Sequence, residues 1–68
     1  MEEVIFLVEE AAEGGYIAKG LTVSIFTEAE SLEELREAVK EAVQVHYEED
    51  KRPKLIRLHL VKEEVFAA

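Results

Sequence analysis

The chain has 68 residues, no cysteine, and sixteen acidic against eight basic side chains, for a net charge of −8. That length predicts one domain over residues 1–68; the absence of thiols excludes disulfides, thiolate zinc sites and cysteine nucleophiles, and the negative charge opposes general nucleic-acid binding. A domain so small usually needs a staple, and without disulfides the common remaining one is oligomerisation.

Val4-Ile5-Phe6-Leu7-Val8 is rich in β-branched and aromatic side chains and predicts a strand. Both of its faces are apolar, which places it in the centre of a sheet. The acidic stretch 9–13 leads into Gly14-Gly15, where positive φ angles permit a hairpin, and residues 16–21 return as a second strand. Residues 22–27 predict a third strand, reached through a short turn.

Ser31 with Glu34 forms a capping-box pattern, and Glu33 and Glu34 suit the positive end of a helix dipole. From Leu32 the positions Leu35, Ala38, Val39, Ala42, Val43 and His46 recur at helical spacing, predicting one buried stripe and a helix ending near Tyr47. Residues 48–53 are a polar connector closed by Pro53, which has no amide proton to donate. Residues 54–62 alternate, with Ile56, Leu58 and Leu60 on one side and Arg57 and His59 on the other, and predict a fourth strand.

The predicted class is α+β: a β-β-β-α-β, two-layer, four-stranded mixed sheet with one helix on one face, partially ribonuclease-H-like. The helix is long enough to cross the sheet and set the last strand parallel beside the first. One helix leaves the other face bare. The expected oligomer interface is drawn from Ile5, Leu7, Ile17, Val23, Ile25, Leu55 and Val61, with Leu21 depending on register and Phe66 from a second apolar stretch.

The longest uncharged run, residues 20–27, is far short of the roughly 20 residues that span a bilayer. Met1-Glu2-Glu3 has neither the basic start nor the apolar stretch of a signal peptide, so a cytoplasmic location is expected, with no membrane partner. The chain has no Asn, one Gln and 35% charged residues, a bias of proteins from hot environments.

Glu13-Gly14-Gly15-Tyr16-Ile17-Ala18, followed by Thr27-Glu28-Ala29-Glu30-Ser31-Leu32-Glu33-Glu34-Leu35 and the alanines Ala38 and Ala42, resembles the N-terminal domain of HicB-family antitoxins. That family shows a Gly-Gly-Tyr-x-Ala hairpin and a Ser/Thr-Leu-Glu-Glu-Ala entry to its helix. The similarity covers roughly residues 3–47, and the element order matches through the last strand. Two features depart from the pattern. Leu21-Thr22-Val23-Ser24 stands where the family carries a Leu-Pro-Gly-Cys-like segment, and no helix-turn-helix or ribbon-helix-helix follows the fourth strand, so operator binding is not implied. The resemblance implies a domain that oligomerises and masks a small, basic, RNA-cleaving toxin.

His46, Glu48, Glu49 and Asp50 carry metal-binding atoms, but their spacing matches no defined site, and a solvated helix exit accounts for them. A histidine on an apolar stripe is expected to pack against the core. His59 and Arg57 lie on a flat strand face, which offers no concave pocket for acid-base work. Lys51, Arg52, Lys54, Arg57 and Lys62 form a basic run flanked by acids, which reads as paired surface charge rather than an RNA stripe. Gly14-Gly15 lacks the Lys-Ser/Thr and the following helix of a phosphate loop. The exposed helix face carries Glu33–Arg36 and Glu37–Lys40 pairs but is acidic on balance.

No catalytic, cofactor-binding or metal residue is therefore assigned, and an enzyme is not expected. Glu33, Glu37, Glu41, Arg57 and His59 are the candidate partner-binding residues. The expected partners are further copies of the chain and a small basic toxin-like protein. The alternative is a self-associating structural or accessory protein with no toxin. A small-molecule-binding or enzyme subunit ranks behind both.

Overall fold

The structure is a computed structural model and describes residues 2–68. Its elements are β1 (Glu3–Glu10), β2 (Tyr16–Gly20), β3 (Phe26–Ala29), α1 (Leu32–His46), a single 3₁₀ turn (Glu49–Lys51) and β4 (Leu55–Leu60). The strands form one sheet in the order β3-β2-β1-β4, with β1 antiparallel to β2 and parallel to β4. This is the predicted α+β arrangement, and the strand that is apolar on both faces is interior.

Alternation along β1 divides the molecule into two sides. Val4, Phe6 and Val8 point toward α1 and are buried together with Ala18, Leu35, Val39 and Val43. Apart from the small Ala18, each such side chain contributes on the order of 1.5–3 kcal/mol by leaving water. In β4, Ile56, Leu58 and Leu60 stand opposite Val4, Phe6 and Val8 and share that side. α1 lies over β3 and β2 and makes little contact with β4. Consequently Ile56 and Leu58 are only half-buried and Leu60 is exposed.

The β1–β2 hairpin turns where the glycines predict it. Gly14 and Gly15 have φ of +101° and +82°, and the Gly14 N–H donates to the Ala11 carbonyl at 3.1 Å. The third strand differs from the predicted span, starting at Phe26 instead of residue 22. The Gly20 N–H donates to the Ile25 carbonyl at 2.8 Å and the Ile25 N–H to the Val23 carbonyl at 2.9 Å. These bonds close residues 21–25 into a loop. Its bend brings the Val23 carbonyl against Gly20, where a Cβ would collide with it, and turns Val23 and Ile25 onto the core cluster.

α1 begins at Ser31, whose Oγ accepts from the Glu34 N–H at 3.1 Å. It stops one residue before Tyr47, which adopts an extended cap with φ −105° and ψ 144°. That cap sends Tyr47 against the core, and His46, expected on the buried stripe, is exposed with its ring edge-on to Tyr47 at 4.9 Å. No helix among the described residues is long and apolar enough to cross a membrane.

Candidate functional site

The face of the sheet opposite α1 is built by the odd-numbered positions of β1. Ile5 lies between Arg57 of β4 and Leu21, whose N–H donates to the Ile5 carbonyl at 3.0 Å. Leu7 lies between His59 and Lys19, and Glu9 pairs with Ile17. Leu55 stands beside Glu3, and Phe26 beside Lys19. No element among the described residues packs on this face. Leu21, Phe26 and Leu55 are 56%, 60% and 61% exposed, so large apolar groups stand open next to the half-buried Ile5, Leu7 and Ile17.

Of the eight residues expected at an oligomer interface, Ile5, Leu7, Ile17 and Leu55 lie together on this face. Val61 continues the line of β4, its N–H donating to the Val8 carbonyl at 2.9 Å. Phe66 stands apart, 80% exposed. Val23 and Ile25 pack against the core because residues 21–25 form a loop, where the sequence reading placed a strand. Phe26 belongs to the open face and was missed for the same reason. Ile25 and Phe26 are adjacent, so once Ile25 turns inward its neighbour must turn outward.

One charged pair crosses this face. Arg57 donates from Nε to Glu3 Oε1 at 3.1 Å and from Nη2 to Glu3 Oε2 at 2.9 Å. These two bonds hold the Glu3 carboxyl below its ordinary pKa and raise that of the Arg57 guanidinium. Arg57 thus already has a carboxylate within its own chain. The other ion pairs among the described residues, Lys51–Glu48 at 3.8 Å and Lys54–Glu2 at 4.0 Å, are exposed and long. Three members of the predicted basic run are therefore paired. The expected Glu33–Arg36 and Glu37–Lys40 pairs are not among these contacts.

The five candidate partner-binding residues do not form one surface. Glu33, Glu37 and Glu41 are exposed on α1, while Arg57 and His59 lie across the sheet on the open face. Glu33 and Glu37 border a groove of about 800 Å³ between α1 and β4; Glu41 borders a shallower hollow between α1 and the start of β3. Among the described residues no three His, Asp or Glu side chains converge on a possible metal position.

No family model matches the chain, and no solved structure matches it. Two curated relatives do. A UPF0150 protein of Archaeoglobus fulgidus is 60% identical over 55 residues, covering 81% of this chain and 82% of the relative. A UPF0150 protein of Thermotoga maritima is 39% identical over 66 residues, covering 97% and 93%.

Proposed function

We propose that this chain, which belongs to the UPF0150 family, is a protein-binding module of the HicB-like kind. In this reading it associates with copies of itself through the open sheet face and holds a small basic protein against the acidic outer side of α1. The observation that carries the reading is the one-sided sheet: Ile5, Leu7, Leu21, Leu55 and Phe26 share a face that nothing in the described chain covers. Large exposed apolar side chains interspersed with a few charges on one uncovered face are the make-up of an interface.

The basic partner rests on charge and on the resemblance to HicB antitoxins. A molecule of net charge −8 with Glu33, Glu37 and Glu41 exposed along one helix attracts and orients cationic partners. The Gly14-Gly15-Tyr16 hairpin and the Ser31-Leu32-Glu33-Glu34 helix start support the same reading, since both occupy the places in the fold that the resemblance implies. The module works in the cytoplasm and has no catalytic role, and its composition, poor in Asn and Gln, suits a hot environment.

Capture of the tagged chain from its own cells at native abundance tests the partner. The expected outcome is a stoichiometric basic protein of under about 100 residues, the size of one small domain, whose RNA cleavage this chain suppresses. Recovery of the chain with copies of itself alone would contradict the sequestering role. It would leave the second reading, a self-associating accessory protein. That reading is favoured by two observations: the candidate partner residues fall on opposite sides of the sheet, and Arg57 is already neutralised by Glu3.

A further inference from the structure

The groove between α1 and β4 carries charge opposite to that of the chain as a whole. The half-buried Ile56 and Leu58 form its apolar floor above the buried Val39 and Val43, and Arg36, Lys40, Arg52 and Lys54 stand around it against Glu33 and Glu37. Four of the eight basic side chains thus border one apolar hollow in a molecule of net charge −8. Arg52 is fixed by donating from Nη2 to the Gln44 carbonyl at 3.0 Å. Arg36 and Lys40 enter none of the ion pairs among the described residues. β4 is an edge strand, so its outer backbone groups also face this side without a strand neighbour. A fitting occupant is extended, apolar at its tip and acidic beside it.

Residues 61–68 have that chemistry. All are exposed and none is in regular structure. Val65 and Phe66 are 92% and 80% exposed, directly after Glu63 and Glu64. The segment leaves the sheet on the line of β4, and the molecule measures 51 Å along its length against 19 and 17 Å across. The groove lies toward the opposite end of β4, beside Pro53 and Leu55. To reach its own groove the segment would have to reverse between Leu60 and Val65. Val61-Lys62-Glu63-Glu64 contains no Gly, Pro, Asn, Asp or Ser, the residues that make tight reversals.

We infer that residues 61–68 of one copy dock in the α1–β4 groove of a second copy. Phe66 rests on Ile56 and Leu58, and Glu64, two residues back on the same side of the extended segment, faces Arg36, Lys40 and Arg52. The segment adds to the free edge of β4 as a further strand, and reciprocal exchange gives a two-fold pair. This inference rests on the self-association proposed above and specifies a second contact, separate from the open sheet face.

The absence of cysteine makes site-specific crosslinking direct. Phe66→Cys and Ile56→Cys chains, co-refolded and mildly oxidised, are expected to give a disulfide-linked heterodimer in preference to either homodimer. In sedimentation, Phe66→Asp is expected to raise the dimer dissociation constant by about tenfold or more, the loss typical of an aromatic anchor. The inference is overturned if the bridge forms only within a chain carrying both cysteines, if Phe66→Cys couples equally well to Ile5→Cys on the open face, or if Phe66→Asp leaves association unchanged. Any of these results with an oligomeric unsubstituted chain removes the segment exchange and leaves association through the sheet face standing; a monomeric unsubstituted chain removes both.

Discussion

Glu3 and Arg57 stand diagonally on neighbouring strands, and their two-pronged bond is the best-formed charge contact among the described residues. Because folding lowers the Glu3 pKa, the contribution of the pair is present above the ordinary glutamate range and fades as pH falls through the lowered folded value. The Arg57 guanidinium, whose pKa is raised by the same contact, stays charged throughout. Both side chains touch solvent, so the stabilisation is small and salt-sensitive. A carboxyl-carbon NMR titration should show the Glu3 midpoint moving up toward the ordinary range in Arg57→Gln. An unchanged midpoint would mean that the pair does not persist in solution. The alternation of residues 54–62 made Arg57 legible as outward-facing, but not its partner. Pairing it with Glu3 required the register of β4 on β1, which depends on contacts between segments distant in sequence.

The elements show where local signals suffice. Ser31 and the periodic apolar stripe define α1 nearly to the residue, and Gly14-Gly15 defines its hairpin. The same signals mislead at two ends. Helical period alone places His46 inward, yet the chain leaves the helix in an extended conformation at Tyr47 and packs that half-buried ring on the core instead. Residues 22–27 have the composition of a strand, yet the bonds from Gly20 to Ile25 and from Ile25 to Val23 make a loop of the first part. Replacing buried Leu35 by Ala should cost about 2–5 kcal/mol, and removing the Ser31 cap about 1 kcal/mol. His46→Ala, at an exposed position, should change stability by no more than about 0.5 kcal/mol. Urea denaturation checks the ranking, and an equal loss at His46 and Leu35 would contradict the assignment of the helix faces.

At the scale of the whole molecule, one helix on a four-stranded sheet leaves two surfaces incompletely covered: the open sheet face and the α1–β4 groove. The first was legible from element count and apolar pattern at Ile5, Leu7, Ile17 and Leu55, but not at Phe26, nor at Val23 and Ile25, which the loop turns onto the core. The second was not, since it arises because α1 lies over β3 and β2 and away from β4, a shift with no local sequence mark. Self-association follows most directly from the open face. The decisive measurement is sedimentation equilibrium of the full chain across a wide concentration range, alone and with Ile5→Lys and Leu7→Lys combined, folding of both forms being verified by circular dichroism. The expected result is a mass that is a multiple of 7.7 kDa for the unsubstituted chain and a smaller species for the substituted one. A mass of 7.7 kDa at every concentration, or an assembly unaffected by the two lysines, would contradict an interface on the open sheet face.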